Sequence, residues 1–329
     1  MSIATCGILL CKMKDLKVVV QVPCLNEEQT LPLVLQSIPK EIPGVSEVIV
    51  LIIDDGSTDG TIEVAKKYGV KHFVRHARNQ GLGRSFHDGV LKALELGADI
   101  VVNTDGDNQY PQERIADLVQ PIVRGEADIV IADRQTHTID HFSPFKKFLQ
   151  RLGSTVVNKA AGTDLPDAAS GFRAYSRESL LRINTITRFS YCTETIIQAG
   201  VKGLSITSIP VTTNAKTRES RLFKNTWEHV RKSAVTIIRA YVMYKPSMVF
   251  GTIGTVLFVI GLFPFARFIL HSLADGTTRG HIQSLLVGSV LMIAAFLCLM
   301  LNIIADLIRI NRTLIEDGLE QAKRARYAK

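Results

Sequence analysis

Cysteine is scarce and unpatterned in this chain. Its five residues, Cys6, Cys11, Cys24, Cys192 and Cys298, form no CxxC pair and no spaced ligand cluster. That argues against a disulfide framework and a sulfur-bound zinc site, and a reducing compartment is the simpler reading. Tryptophan occurs once, at Trp227, and no stretch interleaves aromatic with basic residues, so a nucleic-acid platform is not expected. The dinucleotide fingerprint GxGxxG and the phosphate-loop ending GK[ST] are both missing. So are internal repeats and low-complexity segments. The opening stretch, MSIATCGILLCKMKDL, has a brief apolar run and no charged start, a poor match to a secretory signal.

What is present is a large core and a membrane signature. The chain has 329 residues, 46% hydrophobic and 21% charged, which excludes disorder and exceeds one minimal domain. A formal charge of +8 calls for an anionic partner. Residues 248–266 (MVFGTIGTVLFVIGLFPFA) and 284–305 (SLLVGSVLMIAAFLCLMLNIIA) contain no charge, and each is close to the roughly 20 residues that cross a bilayer as a helix. A buried helical hairpin is the competing reading for so long an apolar pair. Arg231, Lys232, Arg239 and Lys245 precede the first run; Arg309, Arg312, Lys323, Arg324, Arg326 and Lys329 follow the second. By the positive-inside rule both termini, and the large N-terminal part, are expected on the cytoplasmic side. The spans also offer a surface for homo-oligomer formation.

The expected layout is an extension over 1–16, a catalytic-type domain over 17–225 and a juxtamembrane amphipathic helix over 226–247. A two-helix membrane domain (248–308) and a basic tail (309–329) follow. Within the first large part, apolar runs alternate with helix-like stretches: KVVVQVP (17–23), EVIVLII (47–53), VKHFV (70–74), ADIVV (98–102) and ADIVIA (127–132). Continuous apolar strands separated by helices predict an α/β fold, a mostly parallel sheet with helices on both faces. Ligands of such sheets sit beyond the carboxyl ends of the strands. Polar clusters follow four of these runs, at 23–28, 54–60, 105–109 and 133–134, so they are expected on one edge.

NTDGDNQYP (103–111) is the most telling of them. Asp105 and Asp107 repel each other unless a cation lies between them, and Gln109 adds a carbonyl oxygen. Oxygen donors of this kind suit a hard divalent ion, Mg²⁺ or Mn²⁺, whose shell phosphate and water would complete. A lone DxD is often just an Asx-rich turn; its place after a buried strand, beside other acidic clusters, favours the metal. IIDDGSTDGT (52–61) contains helix-capping residues, yet its double aspartate exceeds what a cap needs. A carboxylate there can accept from nucleobase N–H groups, a role Asp55 can fill. NQGLGRS (79–85) is a glycine-rich helix entry and a weak phosphate signal by itself. Single arginines are usually solvated surface, but of the cations Arg134, Arg151, Arg173, Arg218, Arg221 and Lys224 several fall in polar breaks and three cluster just before the first apolar helix, and arginine suits two-pronged phosphate recognition.

Taken in order, PCLNEE (23–28), DDGSTDGT (54–61), NQGLGRS (79–85), DGDNQYP (105–111), ADR (132–134), SGFRAYSR (170–177) and TRESR (217–221) resemble family 2 glycosyltransferases. Within them the polyprenyl-phosphate (dolichol-phosphate mannose synthase-like) sugar transferases are the nearest branch, and several of these carry two C-terminal membrane helices. The resemblance covers about residues 17–225. It implies a GT-A fold and inverting transfer of a hexose from a UDP- or GDP-linked donor to a polyprenyl phosphate. By position, Pro23, Glu27, Ile53 and Asp55 would hold the nucleoside, with Leu25 standing where an aromatic residue is common. Asp105, Asp107 and Gln109 would bind the metal, and Gly106 joins the donor-binding set. Arg134 and Arg221 would contact donor phosphates. Arg151 and Thr155 match an R-x-x-x-S/T pair associated with the acceptor phosphate, where Arg173 and Arg218 are further candidates; Lys216 competes with Arg218 for one family position. Asp167 is a candidate for orienting acceptor or sugar.

The attacking group would be a phosphate monoester with a second pKa of about 6, by analogy with phosphoserine, so no strong general base is required. Other acceptors, a diacylglycerol-type lipid or a polysaccharide, remain open at this point. Processive synthases carry a QxxRW motif and more spans, and neither is present. A catalytically silent scaffold is disfavoured by the intact DxDxQ set.

Overall fold

Valine and isoleucine runs build the centre of a seven-stranded sheet. The structure is a computed structural model and describes residues 15–135, 144–186, 191–214, 235, 238, 242, 246–275 and 282–328, with 144–150 described by their helix alone. Strands β1 (Lys17–Cys24), β2 (Glu47–Asp54), β3 (His72–Arg75), β4 (Ile100–Asn103) and β5 (Ile129–Asp133) match the five apolar runs. Two further strands, β6 (Arg173–Ser176) and β7 (Ile206–Pro210), complete the order β3-β2-β1-β4-β6-β5-β7. The neighbours are parallel except at β6, which runs antiparallel between β4 and β5. The fold is the expected α/β arrangement.

Helices cover both faces, which is why β1 is apolar at nearly every position. Val18, Val20 and Val22 share a cluster with Leu31 and Val34 of α1 (Leu31–Ser37), Ala65 of α2 (Thr61–Lys67), and Ile115, Leu118 and Val119 of α4 (Ile115–Val123). Each such side chain is worth about 1.5–3 kcal/mol relative to leaving it in water. The other face takes α3 (Leu82–Glu95) at close range. A Cβ on Gly89 would come within 2.6 Å of Gln21 Oε1 and 3.0 Å of Ile53, so glycine is what lets this helix approach. Beyond these lie α5 (Pro144–Ala161), α6 (Arg177–Arg182) and α7 (Tyr191–Val201).

The chain divides into two compact units, Met1–Ile237 with Leu319–Lys329, and Ile238–Gly318. The second is built on α8 (Pro246–Asp275) and α9 (Ile282–Arg326), both long and apolar enough to cross a membrane. They meet where glycine faces glycine: a Cβ on Gly288 would lie 3.0 Å from the Gly261 carbonyl, the small-residue packing that membrane helices favour. Pro264 lies inside α8. The expected basic tail is a continuation of α9 rather than a separate segment. Its last turns belong to the first unit, where Lys323 Nζ donates to the carbonyls of Leu180 (3.2 Å) and Ile183 (2.8 Å), Arg324 pairs with Glu178, and Arg326 pairs with Glu95.

Candidate active site

Parallel register carries the polar clusters to one edge, since Cys24 pairs with Asp54, Gln21 with Asn103 and Asp133 with Pro210. There the loops after β1 and β2 are tied face to face. Asn26, in the left-handed region at φ 58°, donates its amide to Ser57 Oγ (2.9 Å) and accepts from the Thr58 amide (2.8 Å). Glu27 donates its amide to Thr61 Oγ1, and Glu28 Oε2 accepts from the Gly60 amide. PCLNEE and DDGSTDGT thus form one unit, although 31 residues separate the partners Asn26 and Ser57 in sequence.

The DGD loop is fastened to that unit. Thr30 Oγ1 lies 2.8 Å from both the Glu27 carboxylate and the Gly106 carbonyl. A Cβ on Gly106 would sit 3.1–3.3 Å from Cys24 Sγ, Glu27 Cγ and the Pro23 carbonyl, so a side chain there would fit only if these neighbours gave way by a few tenths of an ångström. Beneath the loop runs a buried network. Gln21 Nε2 donates to Asn103 Oδ1 (2.9 Å), while Asn103 Nδ2 reaches the Gly171 carbonyl (3.1 Å) and Tyr191 OH (2.6 Å). Tyr110 OH accepts the Gly171 amide (3.1 Å) and its ring stacks on Phe172, while Tyr191 stacks on Phe86 at 4.0 Å. These buried amides and phenols tie the end of β4, which leads into the DGD loop, to Gly171 and α7. The sequence motifs gave no role to Gln21, Asn103, Tyr110 or Tyr191, whose partners are brought to them only by the fold.

The edge is electrostatically negative. Burial pushes the Cys24 thiol up, and the carboxylates of Glu27, Asp54 and Asp105 push it further. Burial also raises Tyr110 to about 12, with Arg134 opposing the rise and Asp105 adding to it. Oxygen-only donors in such a field fit a hard cation. Among the described residues no three His, Cys, Asp or Glu side chains gather to hold a metal by themselves. A cation at Asp105, Asp107 and Gln109 would therefore draw the rest of its shell from phosphate and water. Within the loop, Asp107 Oδ1 accepts the Gln109 amide at 3.0 Å, and Asn214, just after β7, closes on it through the Gln109 carbonyl.

The arginines divide sharply. Arg134 stands beside the site, its guanidinium gripping Asp167 with two bonds of 2.6 and 3.0 Å. Burial would raise the Asp167 carboxyl, but Arg134 outweighs it and holds that pKa below the ordinary range. Asp167 is itself only 1% exposed in its side chain, which leaves it unable to orient acceptor or sugar directly. Arg173 corrects the expectation of an acceptor contact. It is fully buried, and it spends its donors on the carbonyls of Ser170, Ala168 and Cys192 and on Thr195 Oγ1. Ile53 is likewise fully buried, beneath Gly89, so its side chain does not face a nucleoside. Arg151 and Thr155 lie one turn apart on exposed α5, with Thr155 Oγ1 bonded to the Arg151 carbonyl. Leu25 and Pro23 are half-buried at the β1 end. Arg218 and Arg221 lie outside the described residues.

Residues 19–183 match the Glycosyl transferase family 2 profile, which is half of the chain. The chain belongs to that family. This family 2 enzyme is a glycosyltransferase, and its relatives include polyprenyl-phosphate sugar transferases. It is 28% identical over 222 residues to the UDP-N-acetylglucosamine–dolichyl-phosphate N-acetylglucosaminyltransferase of Methanococcus voltae, covering 61% of this chain and 87% of that protein. It is 27% identical over 207 residues to the polyprenol monophosphomannose synthase of Mycolicibacterium smegmatis, covering 60% and 77%. Glucosyl-3-phosphoglycerate synthase from Mycobacterium tuberculosis, crystallised with Mn²⁺, UDP and phosphoglyceric acid, superposes with a TM-score of 0.54 at 18% identity, over 69% of this chain and 77% of that one. That likeness shows the GT-A fold of this family 2 transferase.

Proposed function

We propose that this transferase moves a hexose from a nucleoside-diphosphate sugar to a polyprenyl phosphate, with inversion, at the cytoplasmic face of a membrane. The observation that carries this reading is the DGD loop fastened between the β1 loop and Gly171, at the edge where Asp55 and Arg134 also stand. Asp55 holds the base, while Pro23 and Leu25 line the nucleoside. Asp105, Asp107 and Gln109 hold a divalent cation, which when bound offsets charge on the leaving diphosphate. Arg134, fixed by Asp167, stabilises the same charge from the protein side.

The acceptor phosphate, with a second pKa of about 6, reaches the anomeric carbon already ionised, so no residue must take its proton. A single in-line displacement inverts that carbon, and in this reading Arg151 and Thr155, both exposed on α5, receive the acceptor phosphate. The two apolar helices with their basic flanks would keep the domain where a polyprenyl phosphate presents its headgroup.

Membranes containing the protein, incubated with labelled UDP- and GDP-sugars, polyprenyl phosphate and Mg²⁺ or Mn²⁺, are expected to yield labelled lipid. No labelled lipid from any donor would overturn the reading. Asp107→Ala is expected to abolish transfer while the protein still inserts in the membrane; full retained activity removes Asp107 from the metal site.

A further inference from the structure

His76, in the segment just after β3, belongs to none of the motifs above, yet it touches the carboxylate that the donor base would meet. Its Nδ1 lies 2.7 Å from Asp55 Oδ1 and its Nε2 lies 3.2 Å from Asp88 Oδ2, with the ring almost wholly buried. An ionised carboxylate is an acceptor, so Nδ1 donates. Arg84 in turn grips Asp88 at 2.7 Å, so the ring sits between Asp55 and a carboxylate that is itself fixed. Asp55 takes two more bonds from backbone amides, Gln80 to Oδ1 (2.8 Å) and Gly81 to Oδ2 (3.0 Å).

Counting acceptor positions turns this into a selection rule. A carboxylate offers about four, two on each oxygen. Oδ1 has both positions filled, by His76 and Gln80, and Oδ2 has one filled, by Gly81. One position on Oδ2 is left for a base, and the side chain keeps 9% exposure through which to offer it. Guanine presents two adjacent donors, N1–H and the N2 amino group, which pair with a carboxylate through one bond to each oxygen. Asp55 cannot supply both. A 2,4-dioxopyrimidine presents a single imide N–H at N3, which matches what remains.

We propose that the donor nucleotide is a uridine diphosphate rather than a guanosine diphosphate, and that His76, clamped by Asp88, is the positioning residue that sets this choice by occupying Asp55 Oδ1. This rests on the nucleotide-sugar donor proposed above. Half-buried Leu25 suits the selection, since a pyrimidine needs less stacking surface than a purine.

The test is nucleotide binding to the full-length protein in detergent, with UDP, GDP, CDP and ADP titrated calorimetrically in Mn²⁺ or Mg²⁺. UDP is expected to bind about tenfold or more tighter than GDP, the scale of one hydrogen bond to a charged group. GDP binding as tightly as UDP overturns the inference but leaves the transferase reading standing. Failure of all four nucleotides to bind overturns both. His76→Ala frees a position on Oδ1 and is expected to narrow the UDP-to-GDP preference severalfold, raising KM for the donor more than it lowers kcat. Asp88→Asn, which releases the far side of the imidazole, is expected to do the same more weakly. If both variants keep the wild-type preference, His76 is a packing residue and the selection rule fails.

Discussion

Arg134 and Arg173 begin from the same expectation and end in opposite circumstances. Both follow polar breaks in the sequence, both lie at the strand edge that carries the site, and both resemble phosphate-binding arginines. Arg134 meets a carboxylate, and its side chain keeps 18% of its exposure. Arg173 meets carbonyls and a hydroxyl, and none of it is exposed. What separates them is where the guanidinium finds its acceptors. A carboxylate partner leaves the cation paired but within reach of the cleft. A cage of backbone carbonyls from Ala168, Ser170 and Cys192 turns the cation into a cross-brace between the β6 strand and α7.

Removing that brace should have the largest effect. Arg173→Met leaves the buried Ala168 and Ser170 carbonyls without their Arg173 donor, each worth about 1–3 kcal/mol when orphaned, while the Cys192 carbonyl keeps the Thr195 hydroxyl at 3.2 Å. A loss of at least about 3 kcal/mol in urea unfolding is expected, with little folded protein at 37 °C. Residual folded enzyme should keep its affinity for the acceptor lipid. A variant that folds normally but binds acceptor weakly would break the comparison and return Arg173 to the site.

Arg134→Lys sharpens it from the other side. The charge opposite Asp167 is kept, so the melting temperature should stay near wild type, but the two-pronged fork is lost. Transfer should fall about 100-fold in kcat, the scale of removing one preorganised donor from a developing anion. Unchanged kcat in the transfer assay would leave Arg134 as a second structural arginine.

How much of this the chain declares in advance depends on whether the cause is local. β1, β2, β4 and β5 are readable because a strand covered on both faces must be apolar at successive positions, and the acidic clusters at their ends follow from chain direction. β6 is not readable. RAYS has no apolar run, and it is buried because it slots antiparallel between β4 and β5. The fate of Arg173 is equally non-local, set by Ala168, Ser170, Cys192 and Thr195 arriving together. His76 had a signal of a weak sort, a histidine at the end of a strand ahead of NQGLG, but its partners Asp55 and Asp88 are joined to it only by the fold.

The smallest of the expected effects reads the Arg134–Asp167 pair through acid. Asp167 has its folded pKa held below the ordinary 3.8 by Arg134, against the opposing effect of burial. A carboxyl with a depressed folded pKa adds stability that is complete above its unfolded value and lost as pH falls through the folded one, because the unfolded chain binds the proton first. Wild-type melting temperature should therefore decline as pH drops below about 4, in part through this group. Asp167→Asn removes the titration, so its melting curve should begin lower at pH 7 and decline less steeply in acid. Arg173→Met would leave the Asp167 share of that acid slope in place, since Arg173 donates to three carbonyls and a hydroxyl. Equal acid slopes in wild type and Asp167→Asn would mean that the Arg134 pairing does not stabilise the folded state, and that the two arginines differ in exposure alone.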